Sequence, residues 1–172
     1  MFSRTRARRT TVSTRGAEDE AVRPPRPWRK APPRHQEHPT LRVLFIDADS
    51  VGAEQMAATL RPTYAVTVAP TAQAARTAIA NHVPDLIITE VDLADANGLH
   101  LVEQWRRAPD TRDTLYIILT GRGSVPDKIA GFQAGADDYL IKPVAPDEFL
   151  IHVRAVSRFR RLIHGPLTGK SL

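Results

Sequence analysis

From Leu41 onwards the chain alternates short apolar runs with longer stretches of helical period. Leu41–Ile46 (LRVLFI) is rich in β-branched and aromatic residues and reads as a strand. Asp49 or Ser50 then caps a helix with Ala53, Met56, Ala57 and Leu60 at helical spacing, closed by Arg61-Pro62. Tyr64, Val66 and Val68 alternate as in a half-exposed strand. Thr71 caps a second helix with an inner face of Ala72, Ala75 and Ile79. Leu86–Thr89 (LIIT) reads as a short strand buried on both faces, and it ends in the acids Glu90 and Asp92. After the turn-prone Ala94–Gly98, Leu99, Val102 and Trp105 predict a third helix, followed by Arg106 and Arg107. Leu115–Leu119 (LYIIL) is another fully buried strand, ending at Thr120-Gly121. Pro126-Asp127 opens a helix with Ile129 and Phe132 on its inner face and Gly135 as its C-terminal cap. Tyr139–Ile141 is a short strand ending in Lys142-Pro143. Pro146 begins the last helix, which buries Phe149, Leu150, Val153 and Val156 and turns Arg154, Arg158, Arg160 and Arg161 outward.

Five strands alternating with five helices predict an α/β domain with a parallel sheet covered on both faces and right-handed crossovers. The expected architecture is a flavodoxin-like (βα)5 domain with strand order 2-1-3-4-5. That order sets the ends of the first and third strands side by side at the switch point, where ligands bind in such sheets. Asp47 and Asp49 then lie next to Glu90, and Thr120 and Lys142 join them from the fourth and fifth strands. Three acids, a hydroxyl and an ammonium at one edge suit a phosphoryl group and a divalent cation such as Mg2+, which takes hard oxygen ligands.

Charge separates the chain into parts. Residues 1–40 hold ten basic residues, nine Arg and Lys30, against four acids, while the other 132 residues hold 14 basic and 15 acidic. The overall +5 therefore belongs to the first segment, which is Arg- and Pro-rich and has no hydrophobic period. Too little apolar surface is available there to offset ordering entropy, so residues 1–40 read as a disordered tail. A solvated tail is one reading of that basic charge. Electrostatic binding to nucleic acid, an acidic protein or anionic lipid is the other. The Arg-rich start through Arg15 resembles a transit peptide, and Arg8-Arg9 lacks the apolar stretch of a twin-arginine signal. The predicted domain spans 41–161, and 162–172 reads as a flexible tail. There is no cysteine, which excludes disulfides and thiolate metal sites. No apolar run approaches the roughly 18 residues of a membrane span. A glycine-rich phosphate loop and a nucleophile elbow are absent, so the chain is expected not to be an enzyme.

The ordered motifs VLFIDAD, PDLIITEVDLADANGL, IILTGRG and GFQAGADDYLIKPVAPDEF resemble the receiver domain of two-component response regulators. The resemblance covers about 120 residues, from Leu41 to about Arg161, and AGADDYLIKP is its most specific part. It implies a phosphoacceptor position at Glu90 and metal positions at Asp47, Asp49 and Asp92, the last through its backbone carbonyl. It also implies a phosphate-contacting hydroxyl at Thr120, a switch aromatic at Tyr139, and Lys142 before a proline, Pro143, that is usually cis in the family. The implied partners are a histidine kinase or a downstream effector, bound through the face made by the fourth helix, fifth strand and fifth helix. A cytoplasmic monomer or homodimer fits the same resemblance.

Two positions depart from the family pattern. Glu90 stands where the acceptor is an aspartate, and its extra methylene moves the carboxylate by roughly 1 Å, a displacement that can cost about a hundredfold in rate. Ala48 stands where a second metal-binding acid is usual, so Mg2+ is expected to bind weakly or not at all. Together they predict a pseudo-receiver, with the Glu90 carboxylate paired to Lys142 and function exerted by phosphorylation-independent protein binding. The chain up to Leu172 is expected to act as a stand-alone module. The alternatives are a nucleic-acid-associated regulator using residues 1–40, a still-phosphorylatable response regulator, and an enzyme that transfers phosphate to Glu90 and hydrolyses it.

Overall fold

The structure, a computed structural model, describes residues 40–164, with side chains described through Arg158. The expectations for residues 1–39 and 165–172 fall outside the described residues. The elements are β1 (Arg42–Ile46), α1 (Ser50–Leu60), β2 (Ala65–Ala69), α2 (Ala72–Asn81), β3 (Leu86–Thr89), α3 (Gly98–Arg107), β4 (Leu115–Thr120), α4 (Val125–Ala134), β5 (Asp138–Ile141) and α5 (Pro146–His164). The strands form one parallel sheet in the order β2-β1-β3-β4-β5. This is the flavodoxin-like arrangement expected from the alternation of apolar runs and helical periods.

The sheet is buried on both faces because its central strands are almost continuously apolar, each closing on a buried threonine, Thr89 in β3 and Thr120 in β4. All four residues of β3 and all six of β4 are buried. Their alternate side chains feed two layers. Val43, Phe45, Ile88, Ile117 and Leu119 pack with Ala53, Leu60, Phe149 and Val153 of α1 and α5. Leu44, Ile46, Ile87 and Tyr116 pack with Ala75, Leu101, Val102 and Trp105 of α2 and α3. The edge strand β2 alternates exposed and half-buried positions, as its sequence predicts.

Local chemistry fixes the helix starts. Asp49 caps α1 by accepting from the Gly52 amide, and Thr71 caps α2 by accepting from Ala74. The carboxylate of Asp95, in the β3–α3 loop, accepts from the Ala72 and Gln73 amides and adds a second cap to α2. Asn97 caps α3. Ser124 and Asp127 form a reciprocal capping box at α4, which ends at Gly135 in the left-handed conformation.

One expectation is corrected. Ile129 and Phe132 are about half exposed, at 52% and 51%, and do not form the inner face of α4. That helix approaches the sheet through Gly131, its one buried residue. A Cβ at 131 would lie 2.5–2.7 Å from the Tyr139 ring, so the absence of a side chain lets Tyr139 lie beneath the helix. The last helix runs through His164. No glycine or proline interrupts it before Gly165-Pro166.

Candidate functional site at the C-terminal edge of the sheet

The ends of β1, β3 and β5 bring Asp47, Glu90 and Lys142 together. Parallel pairing sets Ile46 beside Thr89, so the next residues of both strands emerge at the same edge. The Lys142 Nζ lies 2.5 Å from Asp47 Oδ2 and 2.9 Å from Glu90 Oε2. Asp47 is buried, and the Glu90 side chain is only 12% exposed. The other oxygens are also engaged. Glu90 Oε1 accepts from the Val91 amide at 2.7 Å, and Asp47 Oδ1 accepts from the Asp49 amide at 3.0 Å. Gly98, at the start of α3, packs against the Glu90 carbonyl so closely that a Cβ would overlap it. The Lys142–Pro143 peptide is cis, as the resemblance implies.

Burial acts to depress the Lys142 pKa, but hydrogen bonds and Coulomb attraction from Asp47 and Glu90 outweigh it. The net result lies above the ordinary lysine value. The ammonium therefore stays charged and bridges the two carboxylates across the cleft.

Thr120 is fully buried at the end of β4, and its Oγ1 accepts from the Arg122 amide at 3.3 Å. Tyr139 is held inward, 8% exposed, with its hydroxyl donating to the Arg122 carbonyl at 3.0 Å. Phe132 of α4 flanks its ring at 6.4 Å between centroids. Burial is the main cause of the raised Tyr139 pKa.

The carboxylates at the three positions expected to hold a metal do not converge. Asp49 turns to the Gly52 amide, and Asp92 makes a bidentate pair with Arg122, at 2.9 Å to Nε and 2.6 Å to Nη2. Hydrogen bonding from Arg122, with its positive charge, holds the Asp92 carboxyl below its ordinary range. Asp47 remains, with one oxygen on Lys142 and the other on a backbone amide. Among the described residues no group of three or more His, Cys, Asp or Glu side chains could hold a metal ion. The donors, as arranged, do not fit Mg2+.

Arg122 was not singled out in the sequence, although it lies in the IILTGRG motif two residues after Thr120. Its partner, Asp92, is 30 residues away, and only the β3–β4 pairing brings the two loops together. Arg106 lies in the last turn of α3. It bonds the carbonyls of Gly135, Arg112 and Thr114 and the Asp137 carboxylate, and it lies 4.5 Å over the Tyr116 ring.

Comparison with known proteins gives the class of the molecule. The profile of the response regulator receiver domain matches residues 43–154. The chain belongs to that family. The response regulator MprA of Mycobacterium sp. (strain KMS) is 36% identical over 127 residues, covering 73% of this chain and 54% of its own length. The chain thus spans about half the length of the curated relatives it matches. Among solved structures, a protein from Chloroflexus aurantiacus described as a response regulator is 35% identical with a TM-score of 0.64, covering 68% of this chain and 97% of its own. A CheY-like response regulator receiver domain protein from Methanospirillum hungatei is 26% identical with a TM-score of 0.66, covering 72% and 98%.

Proposed function

We propose that this receiver domain is a pseudo-receiver: a cytoplasmic signalling module that binds a protein partner without being phosphorylated. It acts by binding and performs no catalytic turnover. The observation that carries this reading is the Lys142 ammonium, bridged to both Asp47 and Glu90. The longer Glu90 side chain meets the ammonium directly, where a phosphoryl oxygen would otherwise sit. The inward Tyr139 and its bond to the Arg122 carbonyl support the same reading, because they need no group added to Glu90.

The surface offered to a partner is the α4–β5–α5 face. Val125, Ile129 and Phe132 follow one another at helical spacing on α4, all more than half exposed, and Ile151 of α5 is 65% exposed. Exposed apolar side chains grouped on one face suit protein docking. Arg154 and Arg158 are exposed on α5 and favour a partner with acidic groups. A histidine kinase or a downstream effector fits this description.

Phosphotransfer tests the reading. An autophosphorylated histidine kinase that labels receivers freely is expected to leave this protein unlabelled, whereas Glu90→Asp combined with Ala48→Asp gains a hydroxylamine-sensitive label. Such a label on Glu90 of the unaltered protein would falsify the proposal.

Charge segregation favours one further reading, a nucleic-acid-associated regulator bound through residues 1–40. Its signature is affinity for unrelated duplexes, with log K falling against log salt by about 0.9 per phosphate neutralised. Affinity that ignores salt would contradict it.

A further inference from the structure

Arg122 lies at the crossing of the two loops that flank the cleft. Its guanidinium holds Asp92, two residues from Glu90 in the β3–α3 loop, through two hydrogen bonds. Its Nη1 lies 3.9 Å from Asp127 in the first turn of α4. Its amide donates to Thr120, and its carbonyl accepts from Tyr139. One residue therefore touches the loop after the phosphoacceptor position, the buried hydroxyl, the switch aromatic and the start of α4.

We propose that Arg122 is a positioning residue. Its side chain clamps the β4–α4 loop to Asp92, and the clamped loop presents the carbonyl that keeps Tyr139 inward. This inference rests on the pseudo-receiver reading, since it supplies what holds the switch when Glu90 carries no added group. The clamp also engages both oxygens of the Asp92 carboxylate and keeps it from a cation at the cleft mouth.

Magnitude decides what the clamp can do. Both partners are solvent-accessible, with side-chain exposures of 45% for Arg122 and 60% for Asp92. Pairs of that kind are weak singly, although bidentate geometry and a second acid nearby place this one at the stronger end. The clamp biases the position of Tyr139 and does not lock it. The inward-to-outward ratio is expected to change by roughly two- to fivefold when the clamp is removed. High salt should reproduce part of that change, because the screening length falls to about 3 Å at about 1 M.

The test is 19F NMR of the full chain carrying fluorotyrosine, with the Tyr139 resonance assigned by its loss in Tyr139→Phe. The chain has three tyrosines, so the spectrum is simple. Arg122→Ala and Asp92→Ala are both surface changes compatible with folding. Each is expected to move the Tyr139 resonance towards an exposed position while Tyr64 and Tyr116 stay in place. The double variant should move it no further than either single one, because the two side chains act as one unit. Salt should shift the unaltered protein and leave Arg122→Ala unmoved. An unchanged Tyr139 resonance in both single variants, or effects that add in the double, overturns the clamp. Neither result touches the pseudo-receiver reading, because no phosphate donor is present. A label on Glu90 would sink that reading without altering these spectra.

Discussion

At the scale of single residues, the account turns on the length of one side chain. Glu90 reaches Lys142 directly, and Asp47 meets the same ammonium from the other side. Lys142→Ala removes the shared cation and leaves two carboxylates facing across a largely buried cleft. A fully buried broken pair costs about 3–5 kcal/mol. Lys142 is one-third exposed, so solvent screening reduces the expected loss to about 1–3 kcal/mol at neutral pH, read by urea unfolding. A variant as stable as the unaltered protein would contradict the pairing.

Tyr116 gives a second residue-scale prediction. Burial is the main cause that pushes its phenol up to about 12. The unfolded chain loses this proton near pH 10, before the folded protein does. Stability is thus unaffected below about pH 10 and falls as pH rises from there towards 12. Alkaline titration of tyrosinate absorbance should find a last step near pH 12, and Tyr116→Phe should abolish it.

At the scale of elements, the strands and most helix starts were legible. The runs LRVLFI, LIIT and LYIIL read as strands because apolar, β-branched and aromatic residues dominate them, and Asp49 and Thr71 cap where their chemistry suits an orphan amide. The orientation of α4 was not legible. Helical spacing groups Val125, Ile129 and Phe132 on one face but does not say which way that face points. Gly131 decides it, because only the side without a Cβ can approach Tyr139. Gly131→Ala should cost about 1–3 kcal/mol by overpacking and displace Tyr139 from its inward position. A Gly131→Ala protein with unchanged stability and an unmoved Tyr139 would contradict this packing. Arg122 and Arg106 escaped the sequence reading for a different reason: their partners lie in loops or strands that only the folded sheet brings near.

At the scale of the whole molecule, the sheet order makes the site. Lys142 and Asp47 are 95 residues apart, and Lys142 and Glu90 are 52 apart, yet all three meet at one edge. The 2-1-3-4-5 order was legible from the alternation of strands and helices, and so was the meeting of Asp47, Glu90 and Lys142. The expected cation site was legible only as a list of acids. Backbone amides at α1 and a guanidinium in the neighbouring loop redirect two of them, Asp49 and Asp92. Among the described residues no helix is long and apolar enough to cross a membrane. The basic charge resides in residues 1–40, while the rest of the chain is near neutral. Removing the first 40 residues should therefore abolish any salt-dependent nucleic-acid binding, with the fold of the receiver domain retained by circular dichroism. Binding that survives the truncation would assign it to the domain.

The central claim is that Asp47 and Glu90 hold the Lys142 ammonium between them and that the cleft has no place for a metal-supported acyl phosphate. Titration with Mg2+ and beryllofluoride, followed by amide NMR, tests it most directly, because beryllofluoride adds to a carboxylate beside a bound metal. The account predicts no saturating shifts at Glu90, Thr120 or Tyr139 in the unaltered protein, and their appearance in the variant carrying Glu90→Asp and Ala48→Asp. Saturating shifts at those three residues of the unaltered protein would contradict it and make the chain a working phosphoacceptor.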